Sequence, residues 1–345
     1  MIQPPPNLAN TLRLPAVADE YVEVESADEA VEVLKQAKSG GLRLRGLGEG
    51  SNVVLMPKVE GVVCRVSNAR VTVVAEDSDW VIVNVGAGRN WHELVEETLA
   101  QGWFGLENLA LIPGSVGAAP IQNIGAYGVE LAQFVESVMV VTEAGGLQHM
   151  NAEACGFGYR DSVFKRHQTQ SIQPMIIAEV RLRLSKVPRI NIAYTELATR
   201  LDVLSSPDNS EPLSAPRKPS PRQVADAVMD IRRAKLPDPS EYPNAGSFFK
   251  NPIVSNRESL RLRELAVRPY RYEDRYKVSA AQLIDLAGWK GERIGDVGCW
   301  ELQPLVLVNY GDASAQNLLD FAQEIQRSVK DRFQLELELE PSVLS

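Results

Sequence analysis

One uncharged, glycine-rich segment constrains this chain more than any other feature. Residues 105–130 contain five glycines and two prolines, and carry no charged side chain between Asn108 and Val129. The glycines and prolines interrupt every helical or strand periodicity, so the segment is neither a membrane span nor a regular core element. We expect an ordered, irregular loop whose free amides approach a large, partly apolar cofactor that carries phosphate.

The composition predicts a soluble enzyme of two or three domains. The chain has 345 residues, more than one hydrophobic core usually supports. Its net charge of −9 and the lack of a basic tract argue against a nucleic-acid partner. No signal peptide and no apolar run of about 18 residues is recognisable, so we expect a cytoplasmic protein that has no membrane contact. Three cysteines and three histidines are too few and scattered for a disulfide framework or a metal centre, and no metal is predicted.

A second glycine-rich segment, residues 46–52, lies between two predicted strands. A half-buried strand is expected at Leu42–Arg45 and an apolar one at Val53–Met56. The segment resembles a dinucleotide-binding fingerprint, but Ser51 replaces the third glycine, the next segment is not helical, and no acidic residue follows about 20 positions on. Two interpretations stay open, a phosphate cradle of backbone amides and a plain hairpin.

A third glycine turn, at Gly86 and Gly88, follows a strand at Val81–Val85. The residues after it have the spacing of one helical face, namely Trp91, Leu94, Val95 and Leu99. The amino end of a helix stabilises phosphate through free amides and the helix dipole. One nucleotide cofactor touched from several sides accounts for all three glycine loops.

The other periodicities predict further elements. Ser26 and Glu29 have the spacing of a capping box, for a helix that runs to about Lys38. Residues 203–222 are rich in proline and serine, which predicts an exposed, mobile connection. We expect helices at Gln223–Lys235, Ala280–Ala287 and Ala315–Asp331 and a final strand at Phe333–Glu340.

Four motifs together resemble one enzyme family. They are Gly48–Asn52, residues 105–130, Gly158–Ser162 and Asn244–Pro252, and through them nearly the whole chain resembles the UDP-N-acetylenolpyruvoylglucosamine reductase (MurB) family. The resemblance implies an α+β fold: an FAD-binding domain of the vanillyl-alcohol-oxidase (PCMH) type in two subdomains, followed by a smaller α+β substrate-binding domain. The implied ranges are 1–80 and 81–235 for the FAD-binding subdomains and 236–345 for the substrate-binding domain.

The resemblance also implies a reaction. FAD and NADPH are the expected cofactors, and UDP-N-acetylglucosamine enolpyruvate is the expected small-molecule substrate of a monomeric enzyme. NADPH reduces FAD and leaves, and the enolpyruvyl group then takes a hydride from flavin N5, giving UDP-N-acetylmuramate for peptidoglycan synthesis. Two alternatives stay open: another FAD oxidoreductase or oxidase on the same fold, and a non-catalytic nucleotide-binding protein.

Three catalytic residues follow from the resemblance. Arg160 stabilises the charge that develops on the substrate carboxylate, Ser247 donates a proton to the neighbouring carbon, and Glu340 assists. Each type of residue also has an ordinary structural explanation. Arg160 could pair with Asp161, and Ser247 could be a turn or cap serine.

The catalytic carboxylate can be placed in more than one sequence register. Glu336, Glu338 and Glu340 alternate with leucines, which is also typical of a solvated row on one strand face. Counting without gaps selects Glu340. Glu338 and a shifted register that selects Ser342 stay open.

The resemblance assigns supporting residues as well. The cofactor-binding positions are Gly46, Gly48, Glu49, Gly50, Ser51, Asn52, Gly86, Gly88, Pro113, Gly114, Ser115, Gly117, Ala118, Ile124, Gly125, Ala126 and Tyr127. The substrate-binding positions are Tyr159, Tyr194, Arg232, Lys235, Asn251 and Gln303. Which of Tyr270, Tyr272 and Tyr276 closes over the nucleotide is left open.

Overall fold

The structure is a computed structural model that describes residues 7–142, 146–169, 175–205 and 219–345. The chain divides into two compact units, and both are discontinuous in sequence. The larger unit comprises residues 19–49 and 60–234, and the smaller unit comprises residues 1–18, 50–59 and 235–345. The finer division into three parts at residues 80 and 235 stays a prediction.

The described residues contain eight α-helices. They are α1 Ala27–Ser39, α2 Trp91–Ala100, α3 Val163–Thr169, α4 Thr195–Ser205, α5 Pro221–Lys235, α6 Asn256–Glu264, α7 Ala280–Leu286 and α8 Ala315–Phe333. The helices expected after residues 222, 279 and 314 are confirmed. Most of the connection expected at 203–222, namely residues 206–218, lies outside the described residues. Within the part of the chain that the structure describes, no helix is both long and apolar enough to cross a membrane.

The strands are short and belong to several small sheets. They are β1 Val17–Val24, β2 Leu44–Gly46, β3 Val53–Leu55, β4 Lys58–Val66, β5 Val71–Glu76, β6 Trp80–Gly86, β7 Gly125–Ala126, β8 Val129–Glu130, β9 Val135–Thr142, β10 Leu147–Asn151, β11 Met175–Ser185, β12 Asn244–Ser247, β13 Ile253–Val254, β14 Tyr270–Tyr272, β15 Arg275–Lys277, β16 Arg293–Ile294, β17 Val297–Cys299, β18 Val306–Asn309 and β19 Ser342–Leu344.

The larger unit is built on two sheets. A three-stranded sheet has the order β1-β4-β2, with β2 and β4 parallel, and a five-stranded antiparallel sheet has the order β10-β9-β11-β6-β5. Val81, Val83 and Val85 alternate along β6 and are fully buried, as the pleat of a strand requires. They share a core with the apolar face of α2, which begins at Trp91. The strand and helix predicted around the third glycine turn are therefore confirmed.

The start of α1 agrees with the predicted cap, with one difference. The Ser26 side chain accepts a hydrogen bond from the Glu29 amide at 3.2 Å. The Glu29 carboxylate accepts from the amide of Glu25 at 2.8 Å, one residue before the cap. The cap is thus confirmed, but the return bond of the Glu29 side chain reaches Glu25 and not the cap residue Ser26.

The smaller unit packs helices against a four-stranded sheet of order β12-β18-β17-β16. Residues of α7 and α8, including Leu283, Leu318 and Ile325, are fully buried in its core. Strands β3 and β19 pair in parallel, with Val53 opposite Ser342. This pairing joins an early and a late segment of the chain in one unit.

The strand expected at Phe333–Glu340 is wrong in its position. Helix α8 continues to Phe333, Gln334 caps it in the left-handed conformation at φ 55°, and the last strand is β19. Leu335 and Leu337 are nevertheless buried in the core of the smaller unit. The alternation of leucine and glutamate in residues 335–340 therefore indicates that one face of this segment is buried, although the segment forms no regular strand ladder.

Candidate active site

A cavity of about 420 Å³ opens in the larger unit. Its size lies in the range of ordinary ligand pockets. Five of the predicted cofactor-binding residues line it: Gly46, Gly48, Ser115, Gly117 and Ala118. Ala87, between Gly86 and Gly88, lines it as well, so parts of all three glycine loops meet at one cavity, which favours the cradle interpretation of the 46–52 segment over the plain hairpin.

Close backbone approach explains the glycines of this cavity. A Cβ on Gly48 would lie 2.6 Å from Ser115 Oγ, and a Cβ on Gly117 would lie 2.5 Å from the Ala87 side chain. The Gly117 amide donates to the Ala87 carbonyl at 2.8 Å, which docks the long loop on the third glycine turn. A larger residue at either glycine would push this wall apart.

Two amides of the third glycine turn have hydrogen-bond partners within the protein. The Gly86 amide donates to the Arg70 carbonyl and the Gly88 amide to the Asn68 carbonyl, at 2.9 and 2.8 Å. A Cβ on either glycine would lie within 2.5 Å of main-chain atoms. The prediction of free phosphate-binding amides at these two residues is therefore wrong, because the protein's own carbonyls occupy them and the glycines serve close chain packing.

The long loop is ordered and irregular, as expected. It contains a 3-10 turn at Glu107–Leu109 and the two-residue strands β7 and β8. The Glu107 side chain is 2% exposed, accepts from the Gly105 amide at 2.6 Å, and has a pKa raised by burial. The remaining predicted cofactor residues of the loop are not among those that line the cavity, namely Pro113, Gly114, Ile124, Gly125, Ala126 and Tyr127.

Arg160 lies at the corner of a tight turn of the larger unit. Gly158 and Asp161 exchange two main-chain hydrogen bonds, at 2.9 and 3.2 Å, and Arg160 has a left-handed φ of 52°. Its guanidinium donates to the carbonyl of Gly125 at 2.5 Å and to that of Asn123 at 3.5 Å. Asp161 forms an ion pair with Arg166.

A second arginine, Arg232 at the end of α5, adds positive charge near Arg160. Burial, together with the charge of Arg160, lowers the pKa of Arg232. Within the described residues the buried Arg232 Nε has no hydrogen-bond partner. Two neighbouring guanidinium groups and a buried unpaired N–H favour binding of an anionic ligand.

Aromatic side chains adjoin these arginines. The Tyr127 ring meets the Tyr194 ring edge to face, with centroids 5.3 Å apart. Burial raises the pKa of Tyr127 to about 12, so this phenol stays protonated at neutral pH. Tyr194 is 48% exposed, and the Arg160 guanidinium carbon lies 5.6 Å from the centre of the Tyr159 ring.

In the smaller unit, Ser247 ends strand β12 directly after a bulge. Asn244 pairs with Val308 and Ser247 pairs with Val306. Strand β12 therefore has one more residue between these two pairs than its neighbour β18. Gly246, in the bulge, has a φ of 69°. Bulges of this kind redirect a side chain and are frequent next to active sites.

Glu340 lies beside this strand and differs sharply from the other two glutamates. Its amide donates to the carbonyl of Phe248, the residue after Ser247, at 3.0 Å, and the residue is 8% exposed. The side chains of Glu336 and Glu338 are 77% and 75% exposed and pair with Lys330 and Lys250. The three glutamates therefore do not form one solvated row.

The other predicted residues are distributed over both units. Gly50, Ser51 and Asn52 belong to the smaller unit, where Asn52 Nδ2 donates to the Glu340 carbonyl at 3.4 Å. A Cβ on Gly50 would lie 2.4 Å from the Ala9 carbonyl, so this glycine serves chain packing. Glu49, in the larger unit, accepts from the Asn90 side chain at 3.3 Å.

The predicted substrate residues of the smaller unit have structural partners. The Lys235 carbonyl accepts from the Trp300 indole at 3.0 Å. Asn251 Oδ1 accepts from the Ala280 amide at the start of α7, at 2.8 Å. The Gln303 carbonyl accepts from the amide of residue 306 at 2.9 Å.

Sequence reasoning missed several residues of these sites. Lys38, Arg43, Arg45 and His167 also line the cavity of the larger unit. The alternation of Leu42–Arg45 was a usable signal, because it directs two arginines to the face opposite the core. Asn244, which precedes the bulge, was noted only as part of a motif.

Comparisons with known proteins bear on both units. A family model described as an FAD binding domain matches residues 18–151, and one described as UDP-N-acetylenolpyruvoylglucosamine reductase, C-terminal domain, matches residues 238–344. These matches confirm the predicted fold class.

Relatives that match this chain over more than nine-tenths of its length indicate the same family. The UDP-N-acetylenolpyruvoylglucosamine reductase of Paraburkholderia phymatum is 45% identical over 325 residues, which cover 93% of this chain and 91% of the relative. That of Bdellovibrio bacteriovorus is 40% identical over 336 residues, 96% of each chain. The crystal structure of UDP-N-acetylenolpyruvylglucosamine reductase (MurB) from Thermus caldophilus superimposes with a TM-score of 0.64 at 27% identity, covering 97% of this chain and 96% of that one. The chain therefore belongs to the UDP-N-acetylenolpyruvoylglucosamine reductase family.

Proposed function

We propose that this chain reduces UDP-N-acetylglucosamine enolpyruvate to UDP-N-acetylmuramate, with NADPH as reductant and FAD as cofactor. The observation that carries the proposal is the identity of 40 to 45% with reductases that match more than nine-tenths of the chain. The product is a precursor of peptidoglycan. A monomeric state and a cytoplasmic location are part of the proposal, and light scattering of the purified protein tests the first of them.

The cavity of the larger unit fits an anionic dinucleotide. Gly46, Gly48 and Gly117 line it, and the Lys38 and Arg43 side chains supply positive charge at the same cavity. We infer that these residues hold FAD, with Ser115 and Ala118 completing the wall. Bound there, FAD would supply the hydride-transfer chemistry that links NADPH to the enolpyruvyl substrate.

Arg160 is proposed to stabilise developing charge. Addition of a hydride to an enolpyruvyl group moves negative charge onto the carboxylate, and a fixed guanidinium lowers the energy of that state. The hydrogen bonds to the Gly125 and Asn123 carbonyls hold the guanidinium in place before the reaction. An arginine that is already oriented loses little energy to reorganisation.

Ser247 is proposed to protonate the neighbouring carbon. A serine hydroxyl is a weak acid, so the transfer requires a nearby group that compensates for the departing proton. Glu340 is suited to assist because its main chain is bonded to Phe248, next to Ser247, and because it is shielded from water. Its burial supports Glu340 over the exposed Glu338 in the proposed role.

Other residues are proposed to bind the anionic groups of the substrate. Arg232 is proposed to contact an anionic group of the sugar nucleotide, since its buried Nε has no partner in the described residues. Lys235 is proposed to contact the diphosphate, and its main chain is held by Trp300. Tyr159, Tyr194, Asn251 and Gln303 remain proposed substrate contacts.

Product analysis tests this function. Purified protein is incubated with NADPH and UDP-N-acetylglucosamine enolpyruvate, and the sugar nucleotide is examined by mass spectrometry and chromatography against UDP-N-acetylmuramate. We expect NADPH oxidation that requires the substrate and a product that has gained two hydrogens. NADPH oxidation that requires only oxygen would instead indicate an oxidase on the same fold.

A further inference from the structure

The bulge before Ser247 is held by one buried side chain, that of Asn244. Asn244 is 3% exposed, and its Oδ1 accepts from the Gly246 amide at 2.9 Å. This is an Asx turn, in which the side chain replaces a main-chain carbonyl. The register shift of β12 falls within the residues that this turn spans. The side chain of Asn244 is therefore a structural part of the bulge.

The side-chain nitrogen of Asn244, Nδ2, also makes two hydrogen bonds. It donates to the Pro237 carbonyl at 3.1 Å and to the Tyr242 carbonyl at 2.8 Å. Both N–H groups and the carbonyl oxygen of this side chain thus have partners. The donors hold the segment before the strand, whereas the acceptor alone holds the bulge. The two roles can be separated by mutation.

We propose that Asn244 is a positioning residue for proton delivery, because its Oδ1 fixes the bulge that aims the Ser247 hydroxyl. This inference rests on the proposed role of Ser247. Side chains alternate between the faces of a strand, so loss of the extra residue from the register would turn Ser247 toward the other face. Without the acceptor, Gly246 is free to adopt other conformations, and the hydroxyl no longer has one direction.

Two substitutions at Asn244 test the inference on the flavin-loaded protein. Asn244→Ala removes the acceptor and both donors, whereas Asn244→Asp keeps an acceptor for the Gly246 amide and loses the donors. Stopped-flow absorbance measures flavin reduction by NADPH and then flavin reoxidation by the enolpyruvyl substrate. We expect Asn244→Ala to slow reoxidation by about 10- to 100-fold, with reduction by NADPH nearly unchanged. Asn244→Asp should recover most of the reoxidation rate.

A glycine pair gives a second, independent test. Gly246 and Gly295 have φ of 69° and 58°, and a Cβ on either would meet no atom within 4 Å. Alanine therefore strains the backbone in both cases without a steric clash. Gly295 lies in the turn between β16 and β17, at the far edge of the sheet. Gly246→Ala should slow reoxidation about 10-fold, and Gly295→Ala should leave both half-reactions as in the wild type.

Defined outcomes overturn the inference. Equal slowing in Asn244→Ala and Asn244→Asp, equal slowing of both half-reactions, or equal effects of the two glycine variants would each contradict a role in aiming Ser247. Thermal unfolding and flavin content are measured for every variant, so that loss of fold is separated from loss of rate. Failure of the wild-type protein to reoxidise its flavin with the substrate would instead refute the proposed function.

Discussion

The two units hold their proposed catalytic residues by different means. Arg160, in the larger unit, lies in a turn with positive φ, and its side chain is fixed by hydrogen bonds to loop carbonyls. Ser247, in the smaller unit, is directed by a strand bulge whose conformation depends on its neighbours. The comparison teaches that hydrogen bonds of the side chain itself position the Arg160 guanidinium. At Ser247, the conformation of the main chain determines the direction of the side chain.

Replacement of the proposed proton donor should have the largest effect. Ser247→Ala is expected to slow flavin reoxidation by the enolpyruvyl substrate by about 100- to 10,000-fold, because general acid catalysis is lost. Flavin reduction by NADPH needs no such proton and should stay near the wild-type rate. Stopped-flow measurement of both half-reactions checks this. Equal loss in both would remove Ser247 from the proposed role.

Replacement of the proposed cation comes next. Arg160→Ala should slow reoxidation by about 100- to 1,000-fold, the usual loss for one group that stabilises developing charge. Arg160→Lys keeps the charge but not the planar fork that reaches two carbonyls, and should recover only part of the rate. The same two half-reactions are measured. Full recovery by lysine would show that charge alone matters and that the fixed geometry does not.

The two glutamates offer a matched pair with a smaller effect. Glu340→Gln should slow reoxidation by about 10- to 100-fold, because the proposed assisting carboxylate, in a residue that is 8% exposed, is replaced by a neutral amide. Glu338→Gln removes an ion pair between the exposed Glu338 side chain and Lys250 and should change the rate less than about 2-fold. The reverse order of effects would select Glu338 and overturn the assignment.

Replacement of the second arginine should have the smallest effect on catalysis. Arg232→Gln is expected to raise the KM for the sugar nucleotide by about 10-fold, since one hydrogen bond to a charged group is lost, and to leave kcat nearly unchanged. Arg233→Gln, at the exposed neighbouring position of α5, is the control and should leave both constants unchanged. A change in kcat alone would contradict a binding role for Arg232.

Sequence patterns predicted elements best where one element buries its own periodic face. The helices beginning at Pro221, Ala280 and Ala315 and the strand–turn–helix around the third glycine turn were recognisable in this way. The alternation after Phe333 was misleading, because leucines can be buried alternately in an extended segment that makes isolated hydrogen bonds to residues 248–250 without a regular strand ladder. Apolar periodicity indicates which face of a segment is buried, but it does not indicate which strand the segment pairs with.

Glycine patterns were more ambiguous than apolar ones. Gly48 lines a cavity, whereas Gly88 packs against the main chain of Ser67, although both occur in similar turns. The difference depends on distant segments that local sequence does not reveal. The grouping of residues 50–59 with the C-terminal unit has the same origin, since β3 pairs with β19.

The most direct test of the proposed function follows the flavin itself. The purified protein is bleached anaerobically with NADPH and then mixed with UDP-N-acetylglucosamine enolpyruvate while flavin absorbance is recorded. We predict rapid return of the oxidised flavin spectrum. Bleaching without return would contradict the substrate, and a purified protein that neither contains nor binds flavin would contradict the proposed chemistry as a whole.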